Sequence, residues 1–118
     1  MAGVRGGTRP LGRPTLPRPP IAGPHGALGL ERRRIIFFGH VQGVGFRATA
    51  RSVASAHQVT GWVRNEADAS VAMEVQGRPA DVEACLADLR SRMGRFIQGE
   101  RALTIPAVPD EAAFLVRR

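Results

Sequence analysis

The chain has 118 residues, enough for one small domain, and it carries 17 basic residues, all arginine, against 10 acidic ones. One cysteine, Cys85, rules out an intrachain disulfide, leaves no cluster of metal ligands and fits a reducing compartment, so we expect a cytoplasmic protein without metal or cofactor. No apolar run approaches the ~18 residues that cross a membrane, so we expect no membrane partner.

The positive charge is concentrated at the N-terminus. Residues 1–34 carry seven arginines and one acidic residue, whereas residues 35–118 carry ten arginines and nine acidic residues. The first 30 residues also hold seven glycines and six prolines without apolar periodicity. Such a composition buries too little surface to offset chain entropy, so we expect a disordered extension at 1–31 and a domain at 32–118. The extension is either a basic arm or a segment without function.

Apolar periodicity predicts two helices and five strands along the rest of the chain. In chain order these are a strand, a helix, two strands, a helix and two strands, at 32–38, 46–57, 58–65, 70–76, 79–93, 99–106 and 113–117. The first helix has one apolar stripe, formed by Phe46, Ala50, Val53, Ala54 and His57. The second helix starts at a proline, Pro79, and ends before Gly94.

This order of elements is typical of an α+β fold of the ferredoxin-like kind. In that βαββαβ plan two helices cover one face of an antiparallel sheet, and here a short C-terminal strand is added. The first strand is apolar on both faces, with Ile35 and Phe37 on one side and Ile36 and Phe38 on the other. We therefore expect it to be a central strand.

A glycine-rich segment, GHVQGVGFR at 39–47, joins the first strand to the first helix. Such a turn can direct several backbone N–H groups at one anion, supported by the helix dipole, and Arg47 can add its guanidinium. The candidate donors are the N–H groups of Val41, Gln42, Gly43, Val44, Gly45 and Phe46. The chain has no lysine for a nucleotide P-loop, and the G-x-G-x-x-G fingerprint is not met. Spacing alone leaves an anion site and an ordinary tight turn both open.

The same segment resembles the signature of the acylphosphatase family. A second segment, GWVRN at 61–65, is similar to the other motif of that family and lies at the expected distance. The similarity continues through Ser70-Val71 and 75–77 and covers roughly residues 33–118. The resemblance implies a small, metal-free enzyme that hydrolyses an acyl phosphate to a carboxylate and inorganic phosphate. It also implies that Arg47 binds the phosphate and that Asn65 positions the attacking water.

Two other interpretations stay open at this point. The ferredoxin-like fold also occurs in nucleic-acid-binding modules, but the nearly neutral domain and its few aromatic residues disfavour this. A catalytically idle anion-binding module of the same fold is the other alternative, although both Arg47 and Asn65 are present. We expect a monomer that acts on a small-molecule substrate. The turn before Ser70 reads Asp68-Ala69 where the family often has glycine, so Ala69 is strained if its φ is positive.

Overall fold

The computed structural model describes residues 29–118, so most of the extension predicted to be disordered, residues 1–31, lies outside the described part of the chain; its last residue, Glu31, begins the first strand. The elements follow the predicted order. The strands are β1 (Glu31–Gly39), β2 (Val59–Asn65), β3 (Val71–Gly77), β4 (Ile97–Ile105) and β5 (Phe114–Arg117). The helices are α1 (Phe46–Ser55) and α2 (Pro79–Met93), and a 3₁₀ turn (Gly94–Phe96) links α2 to β4.

The five strands form one sheet in the order β4-β1-β3-β2-β5. The pairs β1–β3, β1–β4 and β2–β3 are antiparallel, which gives the ferredoxin-like arrangement with β1 in a central position, as predicted. The short C-terminal strand β5 extends the sheet beyond β2 and is parallel to it, with Gly61 opposite Phe114. The parallel pairing makes the sheet mixed and places the end of β5 next to the end of β2.

Both helices pack on the same face of the sheet and enclose the core. Fully buried side chains come from alternate strand positions and from one stripe of each helix, and they include Ile35, Phe37, Val53, Val63, Met73, Val75, Leu86 and Leu89. The Phe37 and Phe46 rings pack with centroids 5.0 Å apart, which fixes the start of α1 against β1. The apolar stripe predicted for the first helix is therefore its core-facing surface, and the second helix buries Val82, Cys85, Leu86, Leu89 and Met93 in the same way.

The open face, the side of the sheet opposite the helices, carries arginines that pair with acidic residues. Arg32 is only 2% exposed, and its guanidinium contacts Glu74 and Glu111 at 2.8 Å and the Gln76 side chain at 3.2 Å. Burial acts to lower the pKa of Arg32, but the hydrogen bonds and charges of Glu111 and Glu74 raise it. Arg32 belongs to the domain, although its position in the sequence groups it with the basic N-terminal residues.

The observed bounds differ from the prediction by a few residues at the ends of elements. Helix α1 ends at Ser55 instead of near His57, because its last turn tightens: the Ala56 N–H donates to the Val53 carbonyl at 2.9 Å. His57 lies just beyond the helix and contacts Asp88 of α2 at 3.2 Å. Strand β4 begins at Ile97, two residues earlier than predicted. Within residues 29–118, no helix is long and apolar enough to cross a membrane.

Candidate active site

A cleft of about 620 Å³ opens at the N-terminal end of α1. Its walls come from the loop between β1 and α1, from the exposed side of α1 and from the ends of β2 and β5. The cleft is lined by Val41, Gly43, Gly45, Phe46, Arg47, Ala48, Arg51, Ser52, Ser55, Asn65 and Val116. Two of these side chains are arginines and none is acidic, so the cleft favours an anion.

The loop between β1 and α1 owes its shape to glycines in left-handed conformations. Gly43 has φ +79° and Gly45 has φ +80°, and a Cβ added at either position would meet no atom within 4 Å. The glycines are therefore needed for their backbone angles and not for space, because a residue with a side chain rarely adopts these angles. Buried Val41 and Phe46 anchor the two ends of this turn in the core.

The backbone donors of this loop have no acceptors inside the described chain. Within residues 29–118, no N–H group from Val41 to Phe46 donates a hydrogen bond to a protein acceptor. The first backbone bond of α1 runs from the Thr49 N–H to the Gly45 carbonyl at 2.9 Å. The loop thus offers a set of N–H groups at the positive end of the helix dipole, which is an arrangement suited to a phosphate oxygen.

Arg47 is the second residue of α1, and its side chain is held by the C-terminal strand. Its Nη1 donates to the main-chain carbonyl of Arg117, at the end of β5, over 3.0 Å. The carbonyl fixes the guanidinium without cancelling its charge, and no ion pair within the described residues involves Arg47. The remaining N–H groups of the Arg47 guanidinium stay available to an anion in the cleft.

Asn65 is the last residue of β2 and lies on the wall of the same cleft as Arg47. It is half-buried, and its side-chain amide makes no hydrogen bond with another residue in the described part of the chain. An amide carries a carbonyl acceptor and two N–H donors, so Asn65 can hold a water molecule at a defined orientation.

The Gln42 side chain ties the glycine loop to the turn that follows Asn65. Its Nε2 donates to the Glu66 carbonyl at 2.8 Å and to the Ser70 carbonyl at 2.9 Å. The Glu66 N–H also donates to the Ser70 carbonyl at 2.8 Å, which closes the turn. One amide group thus fixes the distance between the loop and the end of β2, and this places Asn65 relative to the backbone donors.

The turn between β2 and β3 contains the strained residue that the sequence suggested. Ala69 has φ +75°, a left-handed angle that glycine adopts at lower cost. The Asp68 carboxylate accepts hydrogen bonds from the N–H and Oγ of Ser70, at 3.0 and 2.5 Å, and these bonds lower the pKa of Asp68. The turn is therefore closed by local hydrogen bonds despite the missing glycine.

Most of the predicted site residues meet in the cleft. Arg47, Asn65, Val41, Gly43, Gly45 and Phe46 line it, whereas Gln42 and Val44 do not: Gln42 reaches the β2–β3 turn and Val44 packs against the core. The sequence did not reveal the role of the Arg117 carbonyl or of the Gln42 side chain. Arg51 and Ser55 could have been found, because they lie four and eight residues after Arg47 on the same side of the helix.

Comparison with known proteins assigns this chain to one family. The acylphosphatase family model matches residues 33–104, and the chain belongs to that family. It is 39% identical over 89 residues to an acylphosphatase of Clostridium acetobutylicum, covering 74% of this chain and 97% of the relative. It is 40% identical over 82 residues to acylphosphatase 1 of Ralstonia nicotianae, covering 69% and 80%.

A solved structure has the same fold. The crystal structure of the acylphosphatase from Bacillus subtilis superposes with a TM-score of 0.66 at 22% identity, over 75% of this chain and 99% of that one. The superposition covers the described domain almost completely, which confirms the ferredoxin-like arrangement expected from the order of elements.

Proposed function

We propose that this protein hydrolyses acyl phosphates to a carboxylate and inorganic phosphate, without a metal ion. One observation carries the proposal: a single cleft without an acidic side chain is lined by Arg47, by Asn65 and by Val41, Gly43, Gly45 and Phe46, whose N–H groups have no acceptor within residues 29–118. Membership of the acylphosphatase family supports the same reaction.

The phosphoryl group is the part of the substrate that this cleft can bind most strongly. The loop N–H groups and Arg47 donate to its oxygens, whose charge is redistributed as the bond to the leaving group breaks. Because the glycine conformations and the Arg117 carbonyl hold these donors in place before the substrate arrives, little reorganisation is needed during the reaction. The loop at 41–46 therefore acts as a phosphate-binding loop.

Asn65 places the nucleophile. Its amide oxygen accepts from a water molecule and its NH₂ group donates to the same water, which aligns the water oxygen with phosphorus opposite the leaving group. As the water oxygen bonds to phosphorus, the bond between phosphorus and the acyl oxygen breaks and the carboxylate leaves. The released proton goes to a phosphate oxygen, because an amide is too weak a base to take it. A carboxylate is a good leaving group, so no general acid is required.

Location, oligomeric state and the N-terminal extension are properties of the protein outside the cleft. We place it in the cytoplasm as a monomer, since a one-cysteine chain suits a reducing compartment and the cleft is built from one copy of the chain. The domain boundary stays near residue 31, where β1 begins. The extension that precedes β1 takes no part in the reaction, because the donors, the arginine and the amide all come from residues 41–65.

The test is hydrolysis of benzoyl phosphate by the wild type and by Arg47→Ala and Asn65→Ala. Loss of one preorganised donor to a developing charge costs roughly 3–4 kcal/mol, so we expect kcat to fall about 100- to 1,000-fold in each variant. Arg95→Ala removes an exposed arginine of the 3₁₀ turn that does not line the cleft, and we expect it to retain wild-type activity.

Circular dichroism and thermal unfolding should show that all three variants remain folded. A chelator should leave the rate unchanged, because the loop N–H groups and Arg47 supply the positive charge. Activity that survives Arg47→Ala, or that disappears with chelator and returns with a divalent ion, would contradict the proposal.

A further inference from the structure

The cleft continues beyond the phosphate-binding loop along α1. Past Arg47 its wall is formed by Arg51, Ser52 and Ser55, and Val116 of β5 also contributes to the lining. Arg51 follows Arg47 by four residues, which puts the two side chains next to each other on the helix surface, with Cβ atoms about 5–6 Å apart. The cleft therefore has an inner end at the loop and an outer end with its own cation.

The outer end has room for the acyl part of a substrate. One water molecule accounts for ~30 Å³ of liquid volume, so the cleft of about 620 Å³ holds the equivalent of roughly twenty waters. A phosphate group of five heavy atoms needs only a small part of that space. The larger part lies where the acyl chain of a bound acyl phosphate extends.

Among the described residues, some arginines have counter-ions and Arg51 has none. Six arginines, Arg32, Arg33, Arg34, Arg64, Arg90 and Arg92, form ion pairs with carboxylates. Arg51 forms neither an ion pair nor a side-chain hydrogen bond with any residue in 29–118, and it is exposed at the wall of the cleft. A cation without an acid, beside a cleft built for one anion, can hold a second anion there.

Ser52 adds a neutral donor at the same place. The Ser55 hydroxyl is already used, since its Oγ donates to the Ser52 carbonyl at 2.6 Å. The Ser52 hydroxyl makes no hydrogen bond within the described residues, so it can donate to an oxygen of a group bound by Arg51.

We infer that Arg51, assisted by Ser52, selects acyl phosphates whose acyl group carries a second negative charge. The inference rests on the proposed function. A carboxylate or phosphate at the far end of the acyl group pairs with the Arg51 guanidinium while the acyl phosphate itself is held by the loop and Arg47. The contact exists in both the ground state and the transition state, so it lowers KM more than it changes kcat.

The test compares 4-carboxybenzoyl phosphate with 4-methylbenzoyl phosphate, which have similar size and differ by one negative charge. We define the charge preference as the ratio of their kcat/KM values. An exposed charge pair at a few ångströms is worth about a twofold to fivefold change in affinity. We expect Arg51→Gln to lower the charge preference by about that factor, mainly through KM, and Arg51→Lys to retain part of it.

Arg78→Gln is the matched control, since it removes the same charge from an exposed arginine. Arg78 follows the far end of β3, about 20 Å along the strand from the turn beside Asn65. We expect its charge preference to equal that of the wild type. Raising the salt concentration should lower the preference of the wild type and of Arg78→Gln, and should have little effect on Arg51→Gln.

A binding measurement separates failure of this inference from failure of the proposed function. Calorimetry with 4-carboxybenzylphosphonate and 4-methylbenzylphosphonate measures charge discrimination without turnover, and we expect the carboxylated ligand to bind the wild type more tightly but not Arg51→Gln. Equal charge preference in the wild type and Arg51→Gln, with both substrates hydrolysed, would overturn the role of Arg51 alone. Absence of turnover with both substrates would overturn the proposed function and this inference with it.

Discussion

Arginines lie on both the open face of the sheet and the wall of the cleft, but in different surroundings. On the open face, Arg32 is buried and meets the carboxylates of Glu74 and Glu111 at 2.8 Å. In the cleft, Arg47 donates to the main-chain carbonyl of Arg117, and no described residue forms an ion pair with Arg47 or Arg51. Arginines with satisfied charges hold the fold together, whereas those left unpaired are available to a ligand. An arginine without a carboxylate partner indicates a site only where it also lines a cleft, as Arg47 and Arg51 do.

Substitution of Arg32 is expected to have the largest effect on stability. Arg32→Met removes the cation but leaves Glu74 and Glu111 largely buried without their shared partner, so we expect unfolding free energy to fall by about 3–5 kcal/mol. Chemical denaturation measures this change. The folded variant should keep the kcat of the wild type, because the open face does not line the cleft.

Arg34→Met is the matched control for this substitution. The Arg34 side chain is 37% exposed and, among the described residues, contacts a single carboxylate, Glu74, so its loss should cost at most about 1 kcal/mol. A similar loss of stability in both variants would show that the burial of Arg32 with Glu74 and Glu111 adds nothing to the stability of the fold.

Substitution of Gln42 should affect the cleft more than the fold. Gln42→Leu removes both hydrogen bonds that tie the loop to the β2–β3 turn, and we expect kcat to fall about tenfold and stability to fall by about 1–2 kcal/mol. Steady-state kinetics should place most of the loss in kcat, because the loop still binds phosphate while Asn65 is displaced. Gln58→Leu, an exposed position before β2, should change neither value. A loss confined to stability would mean that Gln42 only supports the fold.

Substitution of Ala69 has the smallest expected effect, and it should stabilise the protein, whereas the substitutions above destabilise it. Because Ala69 has φ +75°, Ala69→Gly relieves strain and should raise the free energy of unfolding by roughly 0.5–1 kcal/mol. Ala67→Gly is the control in the same turn: Ala67 does not have a positive φ, so glycine there should lower stability slightly. If both substitutions destabilise the protein equally, the strain assigned to Ala69 is wrong.

Much of the fold follows from local sequence patterns. Apolar periodicity located both helices and all five strands within a few residues, because each element buries one continuous surface. The pairing partner of β5 could not be predicted, since four residues from Phe114 to Arg117 fit several edges of a sheet equally well. That pairing is what brings the Arg117 carbonyl to Arg47.

The candidate site was predictable where its residues are adjacent in the sequence and not where they meet through the fold. The glycine loop with Arg47 forms one continuous segment, and Asn65 ends a second one. The contact of Gln42 with Glu66 and Ser70 spans 24 and 28 residues, so no local pattern indicates it. Counting charges along the sequence grouped Arg32 with the N-terminal arginines, because its partner Glu74 is 42 residues away and no local pattern indicates their contact.

Titration of the ¹⁵N-labelled protein with inorganic phosphate, followed by NMR, tests the central claim most directly, because it compares the two groups of arginines in one experiment. The account predicts that the amide signals from Val41 to Phe46 and the Arg47 side chain shift most and saturate together, while those of Arg32 and Glu74 stay unchanged. Larger shifts around Arg32, Arg34 and Trp62 on the open face than in the loop would contradict it.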